Sequence, residues 1–192
     1  MAGFIIKSAA GTGNKTLIQG QDQSGSNYAI QVGDAGASTL HNAIIKVHSF
    51  SAYVSSQVQM ESDNTWYEVS TLGTWTERWD SGQFTSGKFT PTKSGIYLCG
   101  YTVFTDQLDD TERLESVIRK NGSQSTGDLY AYSSGRMSVS SDLNQSYSGS
   151  SLVTFNGSSD YVSLWALHNQ GQSGTYLDVS YNEFWATYIG EV

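Results

Sequence analysis

Catalytic and metal chemistry needs particular side chains in particular groupings, and this sequence offers few of them. Its histidines, His41, His48 and His168, are scattered, with no His-x-x-x-His pair and no Cys/His cluster of the kind that holds zinc. No Gly-x-Ser-x-Gly elbow and no phosphate-binding loop occurs. The single cysteine, Cys99, lies inside an apolar run and reads as a buried, inert thiol. One oxygen-rich group remains. TDQLDDTE, Thr105 to Glu112, gathers Asp106, Asp109, Asp110 and Glu112 in one expected loop. Oxygen-rich loops bind calcium, but the EF-hand spacing is missing, and a solvated acidic loop is the preferred reading over a metal site. A glycan hydrolase needs two facing carboxylates, and nothing singles out a pair. The chain therefore reads as non-enzymatic, with no cofactor expected. Aromatic chemistry is better represented: NTWYEVSTLGTWTERWDSGQF carries Trp66, Trp75 and Trp79 in a polar setting. Such a stretch stacks on sugars or fills a partner's pocket, which makes Trp75 and Trp79 candidate ligand contacts; core packing or subunit contact is the alternative.

The elements that would position these residues are β-strands. At 192 residues the chain suits one sizeable domain with an appendage, or two small domains. Hydrophobic residues make up 38% and charged residues 15%, a balance too poor in charge for a helical bundle and too aromatic for a disordered tail. The formal net charge of −8, without a Lys/Arg cluster, argues against a nucleic-acid partner and against anionic membranes. One cysteine excludes an intrachain disulfide. No apolar run approaches membrane-spanning length, and the apolar stretch in MAGFIIKSAAGTG is too short for a signal peptide. The glycosylation sequons at Asn14, Asn121, Asn144 and Asn156 are accordingly not expected to be used.

Residues 1–46 differ from the rest. Short apolar pieces, Phe4-Ile5-Ile6, Leu17-Ile18 and the Ile30 and Val32 of YAIQV, alternate with Gly-rich turns. LIQGQD and AIQVGD look like a degenerate repeat, with chance likeness as the other reading. Strands this short make no independent core and need another surface, so the segment reads as an extended β arm, docking on a partner or wrapping with sister arms. Packing back as extra edge strands is the other reading. From residue 47 onward, β segments alternate with turn signals: 48–56, 66–71, 95–104, 115–120, 137–141, 150–155, 161–168 and 184–189. Asn121-Gly122, Asn156-Gly157 and Gly171 to Gly174 suit positive φ between them. Asp109 to Lys120 also fits helix spacing, although its Lys-Asn-Gly ending favours a strand. About eight strands in this length suggest a β-sandwich or jelly roll.

Several of these strands are apolar on both faces. In GIYLCGYTVF, Ile96 and Leu98 point one way while Tyr97, Cys99, Tyr101 and Val103 point the other. YVSLWALH and FWATYI behave likewise. A sandwich buries only the inner face of each sheet, and monomers seldom expose large apolar patches. Burial against sister subunits explains the second face; long covering loops on a monomer are the alternative.

Phe89, then five residues, Gly95, Tyr97 and an aromatic at Tyr101 resemble the signature of the complement globular head, a fold shared with tumour necrosis factor. HSFSAYVSS, with Phe50 in place, is similar to that family's opening strand; VIRKNG resembles its mid-domain strand, and SGSSLVTFNGSSDYVSLWA a later strand-turn-strand stretch. SYNEFWATYIG resembles its last strand, with Phe184 at the aromatic position. The likeness covers residues 47–192. It departs at Cys99, which stands where the family has phenylalanine, in the short spacing before Phe89, and in having no collagen repeat ahead of the head. The resemblance implies an all-β, antiparallel jelly roll of about ten strands assembling as a homotrimer. The core and trimer contacts would then come from Phe50, Phe89, Gly95, Tyr97, Tyr101, Val103, Phe184 and Tyr188.

A β arm without collagen or a secretion signal also resembles bacteriophage virion proteins. That likeness implies a homotrimeric capsid decoration, cement or head-fibre protein, whose arm (Phe4, Ile5, Ile6, Leu17, Ile18, Ile30, Val32) docks on the major capsid protein. The alternative it implies is a receptor-binding tail-fibre tip whose loops contact a host surface glycan or protein.

Overall fold

The computed structural model describes residues 15–21, 27–32, 48–108, 112–123, 125–136, 143–169, 175–177 and 181–192. The chain divides into two units, Met1–Val47 and His48–Val192. In the first, β1 (Lys15–Gln21) and β2 (Asn27–Val32) pair antiparallel, from Lys15 opposite Val32 to Gln21 opposite Asn27. The two repeated pieces lie on opposite strands of this hairpin, with Ile18 facing Ile30 across the ladder. Phe4, Ile5 and Ile6 lie outside the described residues.

The second unit is built from β3 (Ser49–Val54), β4 (Val58–Met60), β5 (Trp75–Asp80), β6 (Phe84–Thr85), β7 (Lys88–Phe89), β8 (Gly95–Leu108), β9 (Arg113–Ser123), β10 (Thr126–Arg136), β11 (Leu143–Phe155), β12 (Val162–His168), β13 (Thr175–Leu177) and β14 (Glu183–Gly190). These form two antiparallel sheets. The larger runs β4-β13-β8-β14-β3-β5, with β11 on the other side of β8; the smaller runs β10-β9-β12-β7-β6. β8 and β11 pair from Gly95 opposite Phe155 to Leu143 opposite Leu108, a ladder long enough to set the register of the larger sheet.

Period-two alternation decides the core. On β8 the side chains of Tyr97, Cys99, Tyr101 and Val103 are buried between the sheets, while Ile96, Leu98, Thr102 and Phe104 stay half-exposed on the other face. Phe50 of β3 sits at the centre, stacked on Phe84 at 4.5 Å and Phe89 at 4.7 Å, with Phe184 edge-on at 5.0 Å. Phe155 meets Tyr97 edge-on at 5.1 Å. Burial of each such ring contributes about 1.5–3 kcal/mol, and the edge-on geometry adds to this through the ring quadrupoles.

Several expectations need correction. Residues 66–71 do not form a strand: Tyr67 makes an isolated bridge to Ala166, and Val69–Thr71 is a 3-10 turn. The Ser70 hydroxyl accepts the Leu164 amide at 3.0 Å, so this segment docks on the edge of β12 partly through a side chain. Over its described part, 112–120, the helical option for 109–120 gives way to a strand: β9 lies between β10 and β12 and alternates Leu114, Ser116 and Ile118 toward the core. Asn121-Gly122 is a bulge inside the β9–β10 hairpin rather than its turn; Asn121 takes φ 51° there. Asn156-Gly157 does turn the chain: Asn156 Oδ1 accepts the amides of Ser158, Ser159 and Asp160, and Gly157 has φ 73°. The strands over 75–80 and 126–136 were not anticipated, and the strand expected over 137–141 lies outside the described residues.

Candidate functional site: the outward face of the larger sheet

Residues directly opposite one another on paired strands share a face, so the ladders lay out the outward surface in rows. One row runs Ser150, Gly100, Trp185, Ser51 and Trp79 across β11, β8, β14, β3 and β5. The next runs Leu152, Leu98, Thr187 and Ser49, and beyond it lies Ile96 opposite Gly190 and next to Ile189. On the opposite side of the Trp185 row lie Ser148, Thr102, Glu183 and Tyr53, then Phe104, whose ring meets Tyr181 at 4.9 Å.

This face is open, and large apolar side chains stand on it among serines and threonines. Leu152, Ile189 and Tyr181 expose 57%, 56% and 59% of their surface and Trp79 exposes 41%, while Ile96, Leu98, Phe104 and Trp185 are half-exposed. Trp185 lies over Gly100, whose lack of a Cβ makes room for the indole; a side chain there would run into the ring. Beside Trp185, a shallow depression is lined by Thr102, Ser148, Gly149 and Ser150. At the β5 side, Arg78 pairs with Glu183 at 2.6 Å and lies 4.9 Å over the Tyr53 ring, which gives the apolar area a charged border. Exposed pairs of this kind stabilise a monomer little.

The structure sorts the residues expected at core and trimer contacts. Phe50, Phe89, Tyr97, Tyr101, Val103 and Phe184 are buried within the single chain. Gly95, with φ 144°, packs against Gly190, and Tyr188 meets Tyr97 at 5.2 Å at the margin of the core. The Tyr101 hydroxyl spans the sandwich: it donates to the Ala131 carbonyl at 2.6 Å and accepts from Ser116 Oγ at 3.0 Å. Burial pushes the Tyr97 phenol up to about 12, with Tyr188 and Cys99 contributing, and its hydroxyl donates to Lys93 O at 3.0 Å. Burial likewise pushes the Cys99 thiol well above its ordinary range, which leaves it unreactive.

The two-faced strand 161–168 finds its cover in the same chain. Every residue of β12 is buried, and the Arg119 guanidinium lies 5.5 Å from the Trp165 ring and 5.0 Å from Trp66. Trp66 is thus a packing residue of the smaller sheet. Trp75 donates its indole N–H to Val69 O at 3.1 Å and lines a cleft between β5 and β6 with Glu77 and several hydroxyls; Trp79 stands apart on the outward face. The acidic group is not one loop. Asp106 belongs to β8 and Glu112 is buried, while Asp109 and Asp110 lie outside the described residues.

Sequence reasoning missed Asn182. Buried at the start of β14, it accepts the Phe104 amide at 2.8 Å, donates to the Phe104 carbonyl at 3.0 Å, and receives the Val54 amide on its own carbonyl at 3.0 Å. An Asn in SYNEF carries no sign of this role, because its partners are remote in sequence.

No family model matches the chain, and no curated protein does. Solved structures do match. The chain is similar to Eiger TNF from S. frugiperda with a TM-score of 0.54 at 10% identity, over 77% of this chain and 96% of that one. It is similar to murine APRIL with a TM-score of 0.52 at 12% identity, over 74% of this chain and 99% of that one. The globular domain of zebrafish complement 1qA protein aligns with a TM-score of 0.48 at 15% identity, over 77% of this chain and all 100% of that one. At such identities the likeness speaks for architecture alone. The Eiger and APRIL matches, together with the two antiparallel sheets, establish that this chain folds as a TNF-like jelly roll.

Proposed function

We propose that this protein is a non-enzymatic, adhesive assembly protein whose jelly-roll heads associate as a homotrimer through the outward face of the larger sheet. The observation that carries this reading is that face itself: Ile96, Leu98, Leu152, Trp185 and Ile189 set large apolar side chains across β8, β11 and β14, among serines and threonines, with no cover from the described residues of the chain. Patches of this kind mark contact surfaces. A second copy of the same head is the occupant we assign. The charged Arg78–Glu183 pair at the margin suits the rim of such a contact, and the apolar centre suits its core.

The setting we propose is the exterior of a bacteriophage particle, with the protein as capsid decoration, cement or head fibre. Residues 1–46 serve as an arm that docks on the major capsid protein; the separate unit Met1–Val47, with its β1–β2 hairpin, supports this division of labour. Three arms on one trimer make individually weak contacts jointly tight through effective concentration. Deleting residues 1–46 is expected to leave a folded trimer that no longer attaches to particles. Deleted protein that still decorates them contradicts the docking role.

A second reading, recognition of a host surface glycan at a fibre tip, is favoured by one observation: the cleft at Trp75 holds an aromatic ring, a carboxylate and hydroxyls together. Under this reading, replacing Trp75 by Ala weakens binding to host cells.

A further inference from the structure

The edges of the two sheets meet at β5 and β6, and between them lies a cleft of about 400 Å³. That is within the range of roughly 300–1,000 Å³ typical of small-molecule sites. One wall is fixed, at Trp75 and at the backbone of Gly87. Trp75 is pinned by its bond to Val69 O at 3.1 Å, and Thr71 Oγ1 donates to Glu68 O at 2.7 Å. Ser86 and Gly87 take φ 52° and 75°, and Gly87 packs so closely on the Ser70 carbonyl that no side chain fits there.

Other groups in the same cleft are unengaged. Among the described residues, the Glu77 carboxylate and the hydroxyls of Thr74, Thr85 and Ser86 are exposed and make no hydrogen bond or ion pair within the chain, so all four line the open cleft beside half-buried Trp75 ready to exchange water for a ligand. An aromatic surface takes the C–H face of a pyranose. A carboxylate accepts from two neighbouring ring hydroxyls, and Thr and Ser hydroxyls both donate and accept, which matches a polyol. Among the described residues no cation lines the cleft, and Glu77 repels anions, so phosphates, nucleotides and sialic acids are disfavoured.

We infer that the Trp75–Glu77 cleft is a binding site for a neutral saccharide, one hexose unit or a short chain end. This rests on the glycan reading above and assigns it a place and a charge class; it requires no trimer.

The test uses the full chain with three variants: Glu77→Gln, which keeps the shape of the side chain; Thr85→Val, on the opposite wall; and Trp79→Ala, outside the cleft. Each is titrated by calorimetry and saturation-transfer NMR with glucose, galactose, mannose, N-acetylglucosamine, their disaccharides, and sialyllactose. The expected result is saturable, millimolar binding of at least one neutral sugar. Glu77→Gln and Thr85→Val should each weaken it about five- to tenfold without moving the melting temperature, and Trp79→Ala should leave it unchanged. Saccharide binding that ignores Glu77→Gln and Thr85→Val but is lost in Trp79→Ala overturns the cleft while sparing the glycan reading. A preference for sialyllactose overturns the charge class. No saccharide bound by the unaltered chain overturns both the cleft and the glycan reading, and binding that none of the three variants changes overturns the cleft.

Discussion

At the residue scale, the account turns on polar groups in buried places. Tyr101 is almost fully buried, and its hydroxyl reaches the Ala131 carbonyl of β10 and Ser116 of β9. Tyr101→Phe keeps the ring and strands these partners, so it is expected to cost about 1–3 kcal/mol in urea unfolding with no change of fold. Unaltered stability would mean that water takes over the lost bonds. His168 is fully buried; burial lowers its pKa, opposed by its contact with Met60 O at 2.8 Å and by nearby Asp63. The folded state therefore keeps the ring neutral at a pH where the unfolded chain, titrating near the ordinary 6.5, takes up a proton. Stability is full above about pH 6.5 and declines below it, until the folded pKa is reached. The urea midpoint should fall between about pH 7.5 and about pH 5.5, and His168→Gln should lessen that fall. His48, lowered by burial and by Lys93, acts in the same direction.

At the scale of elements, what holds the larger sheet together is a set of long ladders pinned at one end by Asn182. Removing its amide, as in Asn182→Ala, leaves both the N–H and the C=O of Phe104 without their side-chain partner. A loss of about 2–3 kcal/mol is expected in thermal or urea unfolding, with hydrogen exchange at Phe104 accelerating more than at Leu98. A uniform change along β8 would contradict the pinning role. Legibility in the sequence followed the same logic. β8, β12 and β14 were readable because their alternation is carried by large residues: Tyr97, Leu164 and Phe184 announce their faces. β10, TGDLYAYSSGR, was not, because its large residues Leu129 and Tyr132 stay exposed, none of its residues is fully buried, and it takes its place from pairing with β9. Trp66 to Thr71 looked like a strand by composition, but its place is set by contacts to Ala166 and Leu164 nearly a hundred residues away. The cleft at Trp75 was half-legible. Its aromatic stood out, whereas Thr85 and Ser86 joined it only through the meeting of two sheet edges.

At the scale of the whole molecule, the question is what covers the second face of the two-faced strands. For β12 the chain covers its own with Arg119 and Trp66, so that part of the sequence pattern is satisfied within one head. For β8 and β14 the face stays open around Leu98, Leu152 and Ile189, and there we assign a second copy. The most direct measurement is molar mass by light scattering of the full chain, alongside the Leu98→Glu/Leu152→Glu variant. These two residues face each other across the β8–β11 ladder on the outward side, so the charges load the proposed contact and leave the core intact. The account predicts three times the 20.9 kDa chain mass for the unaltered protein, and a single chain with unchanged circular dichroism for the variant. A single-chain mass for the unaltered protein would contradict it, and so would a variant that remains trimeric.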